Sequence, residues 1–212
     1  MQPLLAIETS SEACSVALSV AGETRLRHEL VPLRHAERVL PCVRSLLAEA
    51  GIRLADLHAI AFGQGPGSFT SLRIGIGVVQ GLAWGGDVPV VPVSSLAAAA
   101  QTALVREAEV NPAILTGLPG SHHILVALDA RMNEAFHCSY EISAEGLVHE
   151  LEDERVSSPA QVNAPGASWI LAAGNGFERY PELQRLGERF NRVRPETVPS
   201  AAAVITLAQY WL

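Results

Sequence analysis

Three short segments carry the side chains that could do chemistry. Glu8-Thr9-Ser10-Ser11 closes the apolar run Leu4 to Ile7 and sets a carboxylate and hydroxyls at the end of a strand, where such groups can hold a metal-bound phosphate. The same residues make a hydrogen-bonded, serine-rich turn, and turn chemistry favours that second reading. Asp129 with Arg131 admits the same two readings, and Gly174-Asn175-Gly176 ends another apolar run. Glu8, Thr9, Ser10, Asp129 and Gly174 are therefore the candidate nucleotide or phosphate residues. Gly65-Pro66-Gly67-Ser68-Phe69-Thr70 lies at a strand-to-helix junction, where backbone N–H groups and a helix dipole could face an anion. Its spacing fits neither GxxxxGK[ST] nor GxGxxG, and with no lysine anywhere a P-loop is excluded. The other reading is conformational, with glycines supplying positive φ at a tight junction.

Other chemistries find little support. The seven histidines, His28, His35, His58, His122, His123, His137 and His149, include no pair four residues apart, so no HxxxH or HExxH site can form on one helix face. No serine lies in GxSxG. Three cysteines, Cys14, Cys42 and Cys138, are far apart and in no zinc spacing, which reads as buried reduced thiols. A formal net charge of -7 argues against a broad basic surface that grips nucleic acid through its phosphates, so any RNA contact should be local or shared with a partner. All 15 basic residues are arginine, which reads as genomic bias. No apolar run approaches the roughly 20 residues of a membrane-spanning helix, and the start of the chain has no signal-peptide pattern, so a cytoplasmic protein is expected.

The elements that position these groups follow from periodicity. Leu4–Glu8, Cys14–Val20 and Glu23–Leu30 read as a meander of three strands, and His35–Ala50 as an amphipathic helix stopped by Gly51. A buried strand, Leu57–Phe62, leads through the glycine loop into a helix over 68–86. Val88–Val93 and an alanine-rich helix from Ser94 to Arg106 follow, and strands alternating with helices predict a mixed α/β sheet. Glu107 to His122, with Pro112 and Pro119, reads as a boundary or surface loop. The strand–turn–strand theme then returns at Ile124–Leu128 and Glu134–Glu141, suggesting a second lobe of similar topology, and Pro199–Leu212 reads as a helix capped by Ser200.

The 68–86 helix has an unusual surface. From Leu72 to Gly86 its only charge is Arg73, and Gly77, Gly81 and Gly85 fall on one line. Each glycine inside a helix costs roughly 1 kcal/mol relative to alanine. That cost is explained if another backbone approaches along the line, either within the monomer or from another chain.

LLAIETSSEACSVALSV, LRHAERVLPCVRSLL, AFGQGPGSFTSLRIGIGVVQGLAWG and ALDARMNEAF together resemble the bacterial TsaB (YeaZ) family of tRNA threonylcarbamoyladenosine biosynthesis proteins, over at least the first 140 residues. The resemblance implies a two-lobed α/β fold of the actin, sugar-kinase and Hsp70 kind (ribonuclease H-like), each lobe a mixed sheet with flanking helices. It divides the chain into an N-terminal lobe over 1–106, a C-terminal lobe over 107–198 and a terminal helix over 199–212. It also implies a non-catalytic partner of TsaD, which transfers a threonylcarbamoyl group to N6 of the adenosine 3′ of the anticodon in tRNAs reading codons that begin with adenine. TsaE, an ATPase, joins them. No cofactor of the chain's own is expected; ATP or ADP and a metal belong to the partner complex, and tRNA is met only through it.

The family's association surface maps onto the 35–50 and 68–86 helices, making Arg34, His35, Arg38, Val39 and Val43 of the first, and Arg73, Ile74, Gly77, Val78 and Gly81 of the second, the candidate contacts with TsaD or with a second copy. No catalytic or metal-binding residue is assigned. Glu8 stands where many members have aspartate, and the family usually continues beyond Leu212 with a segment that is missing here. Two other readings stay open: a small ATPase or kinase using its own cleft, and more remotely a metallopeptidase, whose ligand spacing is missing.

Overall fold

The computed structural model describes residues 2–115, 122–166 and 169–212, and the chain divides into two compact units, 1–98 with 199–212, and 99–198. The first unit contains β1 (Leu4–Glu8), β2 (Ala13–Val20), β3 (Glu23–Leu30), α1 (His35–Ala50), β4 (Ala59–Gly63), α2 (Phe69–Gly86) and β5 (Val90–Val93). Then α3 (Ser95–Val110) carries the chain into the second unit. There β6 (His122–Arg131), β7 (Glu134–Ile142), β8 (Val148–Glu150), β9 (Arg155–Ser157), β10 (Trp169–Ala173), α4 (Gly176–Arg179), α5 (Pro181–Gly187) and β11 (Arg192–Arg194) follow, and α6 (Ala201–Trp211) returns to the first unit.

The first sheet has the order β3-β2-β1-β4-β5, antiparallel where β1 meets β2 and β2 meets β3, parallel where β1 meets β4 and β4 meets β5. Its period-2 alternation feeds two layers. Leu5, Ile7, Cys14, Val16, Leu18 and Ile60 pack against Val39, Cys42, Val43 and Leu46 of α1 and Val79 of α2. The opposite face takes α6, whose first turn donates the Ala201 N–H to the Ser15 hydroxyl at 2.9 Å. Ser200 caps α6 by accepting from the Ala202 N–H.

The second sheet, β11-β10-β6-β7-β8 with β9 also on β7, repeats that order and those directions: β6 is antiparallel to β7 and parallel to β10. The strand–turn–strand echo in the sequence is therefore a repeat of topology. Leu125, Ala127, Ile170 and Ala172 face Phe177, Tyr180 and Leu183 of α4 and α5. Two mixed sheets with flanking helices make this an α/β fold.

Three features differ from the sequence expectation. The division between units falls inside α3, at Ala98, ahead of residue 106, and the terminal helix belongs to the first unit because its apolar side covers that sheet. Glu107, expected in a loop, is helical and fully buried; Arg194 reaches its Oε2 at 2.6 Å and Arg192 its Oε1 at 3.4 Å. The partner lies 87 residues away, beyond any local signal. Pro119 and the rest of the expected loop over 116–121 lie outside the described residues. No described helix is long and apolar enough to cross a membrane.

Candidate protein interface

The glycine loop and the Glu8 turn are one interlocked structure. A Cβ at Gly63 would meet the Glu8 carboxylate, one at Gly67 the Ser10 carbonyl, and one at Gly75 the Thr9 hydroxyl. Close backbone approach thus explains three of the glycines, while positive φ explains only Gly65 in this loop, at +102°. The contacts are completed by the Ser68 N–H donating to the Ser10 carbonyl at 2.7 Å and the Thr9 hydroxyl donating to the Ser71 carbonyl at 2.9 Å. The Glu8 carboxylate accepts from the Ser10 N–H at 2.5 Å and from the Ser95 hydroxyl at 2.8 Å. Burial pushes its carboxyl above the ordinary value, against these hydrogen bonds, which pull the other way.

Glu8, Thr9 and Ser10, the candidate phosphate residues, are all buried. The Ser10 hydroxyl has no hydrogen-bond partner, whereas the Glu8 carboxylate is taken up by the Ser10 N–H and the Ser95 hydroxyl and the Thr9 hydroxyl by the Ser71 carbonyl. Asp129 is consumed likewise. Its Oδ1 accepts from the Arg131 N–H and the Tyr180 hydroxyl, and its Oδ2 faces both Arg131 and Arg179. Gly174 does lie beside this turn, since Asn175 Oδ1 accepts from the Asp129 N–H. Its own role is conformational: φ is +105°, and a Cβ would fall 2.5 Å from the Ala127 carbonyl oxygen. Cys14, Cys42 and Cys138 are buried free thiols, burial pushing Cys14 and Cys138 up to about 12. Among the described residues no cluster of histidine, cysteine and carboxylate could hold a metal.

What the interlock positions is α2. Ser71, Gly75 and Val79 form its buried line. On the opposite side Phe69, Arg73, Gly77, Gly81 and Gly85 follow one another at intervals of four, all exposed, with the Arg73 guanidinium 3.6 Å above the Phe69 ring. A Cβ at Gly77, Gly81 or Gly85 would meet nothing within 4 Å, so these glycines answer to no contact in the monomer. Trp84, 92% exposed, rims an open groove of about 920 Å³ that continues along Ala83 and Val88 to Val90.

The expected contacts on α1 need correction. His35, Val39 and Val43 are buried, the two valines in the core under α1, because the helix spends its apolar stripe on its own sheet. Arg38 is half-buried in a two-pronged pair with Glu29, at 2.8 and 2.7 Å. Arg34 is exposed and pairs with Glu37, and Leu40 adds an exposed apolar side chain. On α2, Arg73, Gly77 and Gly81 are exposed, Ile74 and Val78 half-buried. Phe69 and Trp84, both exposed on α2, are not among the contacts expected from the sequence; the interval of four from Phe69 to Gly77 is the signal that places Phe69 on the glycine line.

Residues 28–185 match the family model described as TsaD: tRNA N6-adenosine threonylcarbamoyltransferase. The tRNA threonylcarbamoyladenosine biosynthesis protein TsaB of Escherichia coli (strain K12) is 36% identical, covering 97% of this chain and 85% of its own length. Its Haemophilus influenzae counterpart is 35% identical, covering 97% and 84%. Among solved structures, YeaZ from Pseudomonas aeruginosa superposes with a TM-score of 0.85 at 38% identity, covering 99% of this chain and 92% of that one. The chain belongs to the TsaB (YeaZ) family of tRNA threonylcarbamoyladenosine biosynthesis proteins.

Proposed function

We propose that this chain is a non-catalytic scaffold subunit whose α2 face docks TsaD, or a second copy of itself when TsaD is missing. As a TsaB family member it takes part in tRNA threonylcarbamoyladenosine biosynthesis. In the proposed assembly, with TsaE as third component, TsaD transfers the threonylcarbamoyl group to N6 of the adenosine 3′ of the anticodon in tRNAs reading codons that begin with adenine. ATP or ADP and the metal belong to the partners, and the assembly is cytoplasmic.

The observation that supports this reading is the open line of Gly77, Gly81 and Gly85. Each is costly in a helix, none is needed inside the monomer, and together they admit a second helix at close range between Phe69 and Trp84. Glu8 and Asp129, which motivated the rival ATPase reading, already have their carboxylates filled by the protein's own groups.

The deciding experiment combines the chain with TsaD and TsaE and measures threonylcarbamoyladenosine with each component omitted in turn. Product is expected only with all three, and sedimentation should show a complex that Gly81→Leu weakens. A wild-type chain that stays monomeric and indifferent to TsaD overturns the proposal.

A further inference from the structure

The two ends of α2 carry charges that the single chain leaves unpaired. From Phe69 to Asp87 the only charged residues are Arg73 and Asp87, both exposed, and among the described residues neither forms an ion pair. Asp87 closes the helix in a left-handed conformation, φ 52°, its N–H donating to the Ala83 carbonyl. Glycine is the usual residue in that conformation, and a helix C-terminus favours a cation over a carboxylate. Asp87 thus stands against both preferences, at the edge of the groove beside Trp84. At 1.5 Å per residue Arg73 and Asp87 are about 21 Å apart along α2, too far to pair within one chain.

Their spacing is symmetric about one point. From the midpoint between Gly77 and Trp84, Arg73 lies about 11 Å toward one end of α2 and Asp87 about 10 Å toward the other. Gly77 and Trp84 lie about 5 Å to either side, and at 3.6 residues per turn all four share one side of the helix. Gly77 is an open position, where a Cβ would meet nothing within 4 Å, and Trp84 is an indole 92% exposed. A two-fold axis through the midpoint exchanges equidistant residues of two antiparallel helices. It sets each Trp84 on the Gly77 of the other copy, and each Arg73 beside the other copy's Asp87.

We propose that two copies of this chain pair through α2 in that antiparallel register, each Trp84 seated on an open Gly77 and two symmetric Arg73–Asp87 ion pairs fixing the polarity. The inference rests on the reading of α2 as a docking face, and adds the register and the residues that select it. A second copy is the occupant because bulk meets gap and cation meets anion at equal distances from one axis, which is what a self-complementary surface requires. The pairing also brings a cation to the C-terminal end of each α2, offsetting the cost that Asp87 carries in the single chain. The Phe69 ring, 3.6 Å from the Arg73 guanidinium, supports that side chain through its face and leaves the N–H donors at its edge for the carboxylate.

The test is sedimentation equilibrium of the full chain alone, as wild type, Arg73→Asp, Asp87→Arg and the double variant. Each single variant makes both symmetric contacts repulsive and should weaken self-association about tenfold or more. The double variant, and an equimolar mixture of the two single variants, should recover it, which no contact within one chain can produce. Trp84→Ala should weaken it with no charge changed. All three positions are exposed, so folding is kept and is checked by circular dichroism. A monomeric wild type, single variants that associate as wild type does, or a double variant and mixture no better than the single variants overturn the proposal. Gly81→Leu, run alongside, separates that failure from failure of the docking reading. Weakening by Gly81→Leu without rescue by the charge swap overturns the register alone, whereas association that Gly81→Leu leaves unchanged removes α2 from the interface.

Discussion

The Glu8 carboxylate occupies the space that a Cβ would fill at Gly63. The end of β1 and the end of β4 are thereby locked together, and the loop that follows is set on the Thr9–Ser10 turn, which fixes where α2 begins.

Gly63→Ala should destabilise the chain by about 2–3 kcal/mol, because the buried carboxylate must give up its hydrogen bonds from Ser10 and Ser95 to move aside. Gly77→Ala meets nothing and should stabilise the isolated chain by about 0.5–1 kcal/mol through helix propensity. Urea unfolding of both variants checks the contrast. Equal effects would show that the two glycines share one role.

Glu8 gives a pH dependence of known sign. Burial holds its folded pKa above the unfolded value, so the folded chain retains a proton that the unfolded chain releases. The resulting stability is fully present below the unfolded pKa and is lost as pH rises through the folded one. The stability of wild type relative to Glu8→Gln should therefore decline with rising pH in unfolding series run between about pH 4 and 8. A difference that stays flat, or grows with pH, contradicts the burial of this carboxyl.

Affinity and stability should separate on the two helices. Gly81→Leu should weaken association at least about tenfold, some 1.4 kcal/mol, without lowering Tm. Val39→Ala, in the core under α1, should cost about 1–3 kcal/mol of stability and leave association unchanged. Sedimentation and calorimetry on the same samples distinguish them.

Glu107→Ala should cost about 2–3 kcal/mol, since it leaves Arg194 without its buried counter-charge and detaches β11 from α3. The half-exposed edge of Arg194 keeps the figure below that of a fully enclosed pair. Chemical denaturation reads it directly.

Strands β1 to β3, α1, α2 and the terminal helix were legible because each has a periodic apolar pattern and a stop signal. The short β8, β9 and β11 were not, since three residues do not define a period and their pairing depends on β7 and β10. The glycine line on α2 was legible as spacing. Which glycines face a neighbour and which face nothing was not, because spacing carries no information on what stands opposite.

The sequence by itself determined the alternation of strands and helices, the two similar strand–turn–strand passages, the absence of a P-loop and of a helix-borne histidine pair, and the family resemblance. All of these are local or depend on order along the chain. The tertiary structure decided the fate of each polar group. It buried Glu8 under Gly63, assigned His35, Val39 and Val43 to the interior, matched Asp129 to Tyr180 and two arginines, and left Gly77, Gly81 and Gly85 open. Burial and partnering arise from residues up to 190 positions apart, and so they exist only once the chain has closed on itself.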